Sequence, residues 1–255
     1  MGQFGIGQSV TRIEDLRLLT GSGKYTDDVQ LENESKAFVL RSPHAHAEIK
    51  GMDIATAKAA PGVLLVLTGD DVKADDLGAM PCMFPVTNLD ETDNIKPERP
   101  VLAQGKVRHV GQPVAFIVAE TLDQARDAAE LIEVSYSPLA ASTDTFRTTL
   151  DGAAQIHDDA PNNICFDWGK GDQAGTEAAF ANAAHVTTLE LVNNRVVVNP
   201  MEPRAAICDY DTATDRLSLY TSSQGTHVIR DALAGSILNI DKERLRVVTG
   251  DVGGG

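Results

Sequence analysis

Cysteine is scarce in this sequence, and so are aromatic residues and positive charge. Its 255 residues hold three cysteines, Cys82, Cys165 and Cys208, set far apart. An odd, scattered set is no disulfide framework, and without a CxxC there is no ready holder for zinc or an iron–sulfur cluster. A reducing, cytoplasmic setting fits that usage. Lys and Arg number 22 against 37 Asp and Glu, a formal charge of −15. Such a chain repels phosphates, which argues against nucleic acid or an anionic membrane as partner. Long apolar runs are missing too. VLLVL (63–67) and VAFIVA (114–119) are far too short to cross a bilayer. The opening MGQFGIGQSV lacks the basic and apolar regions of a signal peptide, and position 6 is Ile6, not the Ser or Thr of a myristoylation signal. With aromatics at 5% and apolar residues at 42%, the core has to come from Val, Leu, Ile and Ala.

What is present reads as an α+β chain in two regions. After a polar arm, KAFVLRS and AEIKGM predict short strands on either side of PHAHA. DIATAKAAPGV predicts a short helix with Asp53 as its N-cap and Pro61-Gly62 as its stop, and VLLVLTG a buried strand. An irregular, proline-bearing stretch follows from about 70 to 106, and a loop of that length points to function or disorder. The clearest unit is GQPVAFIVAETLDQARDAAELIEVSY. Its strand is apolar on both faces. Thr121 and Gln124 form a capping-box pattern, and Leu122, Ala125, Ala129 and Ile132 recur at helical spacing. IEVSY then returns as a strand, so the expectation is a right-handed βαβ crossover. A polar connector follows, where proteolysis is expected to cut first. The second region is expected to run strand, strand, strand, helix, strand. VTTLELV, AAICDYD and RLSLYTSS are its first three strands, a helix covers about 227–238, and LRVVTG closes it.

Several motifs carry chemistry under one reading and plain turn geometry under another. A glycine run such as GDVGGG (250–255) loses much conformational freedom on folding, so it marks a turn or a backbone that must approach a ligand. In SSQGTHVIRDAL, Gln224 ends a strand just before a helix that Thr226 could cap, and backbone donors converge at such turns. In NPMEPRAA two prolines aim Glu202 and Arg204, either at a ligand or into a structural salt bridge at a strand start. His44 and His46 would share a face on a strand, a spacing open to a metal, but no third ligand stands nearby. Gly111 marks a tight bend, with Gln112 beside it open to a cavity-facing role. No Ser/His/Asp or Cys/His set and no Walker loop is found.

Taken together and in order, these segments resemble a known family. TRIEDLRLLTGSGKYTDDV is similar to the N-terminal arm of the molybdenum-binding large subunits of the xanthine dehydrogenase/aldehyde oxidase family, and most of all to those of aerobic carbon monoxide dehydrogenases. SPHAHA, VRHVGQPVAFIVAET and EVSYSPLAA resemble its a/b hammerhead domain. FDWGKGD, NNRVVVNPMEPRAA, SSQGTHVIRDALA and VVTGDVGGG resemble the start of its molybdopterin-binding region. The resemblance implies an arm at 1–20, a hammerhead domain at 21–140, a connector at 141–163 and the truncated start of the molybdopterin-binding α/β region at 164–255. In such proteins the glycine run continues with Phe-Gly, so the chain is expected to be an N-terminal fragment. The implied cofactor is molybdenum–molybdopterin cytosine dinucleotide. Gln224 is expected to hydrogen-bond an oxygen ligand of molybdenum, and Gly253, Gly254 and Gly255 to bring backbone close to the cofactor. The implied activity of the intact subunit is oxidation of carbon monoxide, an aldehyde or a heteroaromatic with oxygen derived from water. The general base lies outside the 255 residues, so no catalytic residue is assigned and the fragment alone is expected to be inactive. FAD and [2Fe-2S] on a medium and a small partner subunit, in a dimer of heterotrimers, complete the implied picture. The alternative is a non-catalytic subunit-docking or assembly module.

Overall fold

The computed structural model describes residue 7 and residues 9–254. They form two compact units. One runs Asn33–Arg195 and takes in Gly235–Asn239. The other gathers the arm up to Glu32, Val196–Ala234 and the chain from Ile240 on. The arm carries a short α-helix, α1 (Asp15–Leu19), and a single 3-10 turn at Thr26–Asp28.

The larger unit holds, in chain order, β1 (Lys36–Arg41), β2 (Ala47–Asp53), α2 (Ala55–Lys58), β3 (Val63–Thr68), α3 (Gly69–Ala74), β4 (Lys106–Val107), β5 (Pro113–Ala119), α4 (Leu122–Glu130), β6 (Glu133–Pro138) and α5 (Gln173–Asn182). Two three-stranded sheets result, ordered β1-β5-β3 and β4-β2-β6. Every pairing in them is antiparallel. β5 is central because both its faces are apolar. Its Ala115, Ile117 and Ala119 meet Val66 of β3 and Ala125, Ala128 and Ala129 of α4 in the core. Small alanines at helical spacing give α4 a narrow buried stripe. The capping box forms as its sequence predicts: the Gln124 amide donates to Thr121 Oγ1 at 3.2 Å, and the Thr121 amide donates to Gln124 Oε1 at 2.9 Å.

The expected βαβ crossover through α4 does not occur. β5 and β6 belong to different sheets, so α4 links two antiparallel sheets instead of two parallel neighbours. α2 also starts differently from its sequence expectation, with Ile54 at the N-cap and the Asp53 carboxylate accepting from the Ala55 amide at 2.9 Å. One side chain ties three points of the connector together. Asn163 donates to the carbonyls of Thr148 and Ala154 at 2.8 and 3.0 Å and accepts from the Ile156 amide at 2.8 Å.

The smaller unit holds β7 (Ala206–Asp211), β8 (Arg216–Thr221), α6 (Thr226–Ala232) and β9 (Leu245–Val248). β7 and β8 are an antiparallel hairpin, while β8 and β9 are parallel neighbours joined through α6. The parallel crossover of this chain is therefore here. The strand expected at VTTLELV does not form. Residues 183–205 carry no helix or strand, because no segment among the described residues offers them a ladder to pair with.

Candidate functional site

Parallel pairing of β8 with β9 decides which loops meet. Both strands point their carboxyl ends the same way, Tyr220 opposite Val248. The turn Ser222–Gly225 follows one and the run from Gly250 follows the other, so the two arrive side by side. Thr249 Oγ1 donates to the Thr221 carbonyl at 2.8 Å and fastens them. Crevices beyond the carboxyl ends of parallel strands are the usual ligand position in α/β sheets.

A cleft of about 340 Å³ opens at this place, lined among others by Gln224, Ser223, Arg204, Glu202, Val252 and Gly254. Gln224 is exposed, and its carboxamide has no partner among the described residues. Thr226 does not cap α6. The cap position is Gly225, whose amide donates to Ser223 Oγ at 2.8 Å, and Thr226 is the first helical residue. Arg204 is exposed and forms no ion pair among the described residues.

Glu202 lines the cleft and forms no ion pair among the described residues. It does not pair with Arg204. Its carboxylate accepts from the Gly253 amide at 2.7 Å, from Ser222 Oγ at 2.9 Å and from the Thr26 amide at 3.3 Å. The Glu202 amide donates back to the Gly253 carbonyl at 3.3 Å. Gly253 first, then Ser222 and Thr26, hold the carboxyl below its usual range. The glycines are needed for that approach. A Cβ on Gly253 would run into the Cβ of Glu202, with its amide nitrogen 3.2 Å away. Gly254 has φ +117°, and a Cβ there would sit 3.3 Å from Pro200. Gly255 lies outside the described residues.

A second carboxylate fixes the start of the same run. Asp251 Oδ1 accepts from Arg17 Nη2 at 2.7 Å, Oδ2 pairs with Nη1 of the same guanidinium, and Oδ2 also accepts from the Lys24 amide at 2.7 Å. The Arg17 bond and the Lys24 amide lower its pKa from 3.8 to about 2. The arm is thus stitched to the glycine run from both sides.

The structure brings Gln224, Gly253 and Gly254 into one place, as the motifs suggest, with Arg204 beside them. Other singled-out residues go elsewhere. The His44 ring lies 4.7 Å from that of Tyr136, while buried His46 holds its Nδ1 2.7 Å from the Ala140 carbonyl. Gln112 Oε1 accepts from the Arg108 amide at 2.7 Å and so closes the bend at Gly111. Sequence reasoning missed Thr26, Ser222, Arg17 and Asp251. No local pattern marks them, since their partners stand up to 234 residues away.

Residues 20–140 match the family described as aldehyde oxidase and xanthine dehydrogenase, a/b hammerhead domain, and residues 156–255 match the molybdopterin cofactor-binding domain. The sequence is 35% identical over 250 residues to the nicotine 6-hydroxylase large subunit of Paenarthrobacter nicotinovorans, covering 98% of this chain and 30% of that protein. It is 35% identical over 263 residues to the carbon monoxide dehydrogenase large chain of Afipia carboxidovorans, covering 98% and 31%. The crystal structure of quinoline 2-oxidoreductase from Pseudomonas putida 86 superposes with a TM-score of 0.85 at 37% identity, over 98% of this chain and 31% of that one. The chain therefore spans about 30% of the length of the curated relatives it matches. Its α+β architecture is a hammerhead domain followed by the start of a molybdopterin-binding domain.

Proposed function

Since the chain belongs to the aldehyde oxidase and xanthine dehydrogenase family of molybdenum oxidoreductases, we propose that it works as part of a molybdenum hydroxylase large subunit. The reading takes residues 21–140 as the hammerhead domain and 164–255 as the beginning of the cofactor domain, with the arm at 1–20 and the connector at 141–163. The substrate would be carbon monoxide, an aldehyde or a heteroaromatic. The observation that carries this reading is the meeting of Gln224 with the glycine run at the carboxyl ends of two parallel strands.

The residues there suit molybdenum–molybdopterin cytosine dinucleotide. An anionic, oxygen-rich group needs donors and close backbone, and the cleft offers an uncommitted carboxamide at Gln224, the guanidinium of Arg204 and a Cβ-free wall at Gly254. The bound cofactor would supply the redox chemistry, oxygen from water entering the substrate. Gln224 would donate from its carboxamide to an oxygen of the group. Arg204 would offset its negative charge. Gly253 contributes differently from the two glycines after it, because its N–H is already given to Glu202. It keeps the run in place, while Gly254 and Gly255 would be the ones to bring backbone up to the ligand.

Electrons would leave to [2Fe-2S] and FAD on a small and a medium partner subunit, in a dimer of heterotrimers. Relatives designated large subunit and large chain support an assembly of that kind. A cytoplasmic setting is supported by three free thiols, Cys82 and Cys208 exposed and Cys165 half-buried. Among the described residues no helix is long and apolar enough to cross a membrane.

The test starts with the gene. Phe-Gly and several hundred further codons after codon 255 are expected, and the product of the whole frame should carry molybdenum and a pterin. Gln224→Ala in that product should keep its fold and lose most of the metal. A stop directly after Gly255, or a full-length product free of pterin, would overturn the proposal in favour of a docking module.

A further inference from the structure

We infer that Glu202 is a positioning residue that sets the two halves of the candidate cofactor site against each other. This rests on the molybdopterin reading of the cleft for its purpose, but its geometry stands without it. One carboxylate serves three separate stretches of chain: Gly253 in the glycine run, Ser222 at the turn that carries Gln224, and Thr26 in the arm. All three lie with Glu202 in one compact unit.

Three features show that the carboxylate itself, and not only the bulk of the side chain, is required. First, its partners are all donors, two amides and a hydroxyl, so the acceptor-only ionised form satisfies them together. The protonated acid or an amide would put a donor in front of a donor. Second, the bonds divide the work. Oε2 is shared by Ser222 and Gly253, so the Gln224 turn and the glycine run meet at a single atom. Oε1 reaches Thr26. Third, the glycine run is shaped to receive it. Gly253 has no Cβ where the stem of Glu202 passes, and its carbonyl accepts from the Glu202 amide, which locks both backbones in register. Pro200 and Pro203 fix the corner from which the carboxylate reaches. Glu202 therefore does no chemistry of its own. It holds Gln224 and the glycine backbone at the separation that a ligand between them would need.

The variant Glu202→Gln makes this testable without any cofactor. In the 255-residue chain, the backbone amides of Gly253 and Gln224 are followed by NMR as pH is lowered. Both are expected to shift together, with one midpoint below the ordinary glutamate value of 4.5. In Glu202→Gln that shared titration should vanish, and hydrogen exchange at Gly253 should quicken about tenfold, as for the loss of a charge-assisted bond. Ser222→Ala is the milder companion. It removes one donor, keeps the carboxylate, and should uncouple Gln224 while Gly253 continues to titrate. Gly253 and Gln224 amides that titrate independently in the unaltered chain, or that stay put in Glu202→Gln, would overturn the inference. If the full-length product binds no pterin while the coupled titration is seen, the functional reading fails and the clasp survives.

Discussion

At the scale of single residues, two carboxylates decide how the site is held. Both are depressed, Asp251 by Arg17 and Lys24, Glu202 by Gly253 first. A carboxyl that titrates lower in the folded state stabilises that state above its unfolded pKa and stops doing so as pH falls through the folded value. For Asp251 the window runs from 3.8 down to about 2. The arm should therefore stay attached at neutral pH and detach in that acid interval, seen as rapid exchange at the Lys24 amide. Asp251→Asn should bring the same loosening at pH 7. An arm equally protected in this variant would show that the Arg17 pair contributes nothing. Gly253→Ala is expected to be worse than Gly254→Ala for the clasp, because its Cβ meets Glu202, whereas at Gly254 the strain is mainly that of φ +117°. Loss of the coupled Gly–Gln titration in the first variant alone would bear this out. Legibility at this scale follows locality. Gln224 and the glycines stand in motifs that show themselves. Glu202 was visible as a charge aimed by prolines, yet its partners could not be read, because Thr26 lies 176 residues away and nothing in either stretch names the other.

At the scale of elements, what the sequence shows well is whatever is decided within about a dozen residues. β5 and α4 are of that kind: an apolar run, a capping box and alanines at helical spacing are local facts. Their energetics should follow. Thr121→Ala removes the cap and is expected to cost about 1 kcal/mol. Ile117→Ala opens a cavity in the fully buried centre of β5 and should cost about 2–5 kcal/mol. Leu122, though on the expected apolar face, remains 38% exposed, so Leu122→Ala should cost much less than Ile117→Ala. Urea unfolding of the three variants gives this ranking, and equal losses at Leu122 and Ile117 would contradict it. Pairing is where local reading ends. Strand–helix–strand recurs along the chain, through α4 and through α6 among others, and of these two only the second makes a parallel pair. The first fails because β2 and β1 already offer antiparallel partners, and a helical spacing says nothing about them. For the same reason VTTLELV has the composition of a strand without being one, since a strand is a relation between two segments.

For the whole molecule, that missing relation sets where the chain is weakest. The sequence alone puts the vulnerable point in the connector at 138–163, which is polar and aperiodic. The side-chain bonds argue for a different place. Asn163 cross-links the connector through three bonds, and Lys106 reaches Asp158 at 3.2 Å. Residues 183–205 have far less to hold them. They form no helix or strand, and Leu189, Leu191, Val192, Val196 and Val197 stand exposed. A backbone without a ladder opens at little cost, and proteases cut where local opening is cheap. Trypsin offers a direct comparison, because both segments carry exposed arginine, Arg147 in the connector and Arg195 and Arg204 in the bare stretch. Cleavage after Arg195 is expected first, yielding a persistent fragment that contains the hammerhead sheets, whose antiparallel pairings all close within residues 36–138. Mass spectrometry of the early digest reads the order. A first cut after Arg147 would mean that the Asn163 cross-links are weaker than their geometry implies. Under the proposed reading, slower cleavage after Arg195 in the product of the whole gene is expected, because residues beyond these 255 would then cover the apolar stretch and raise the cost of opening it.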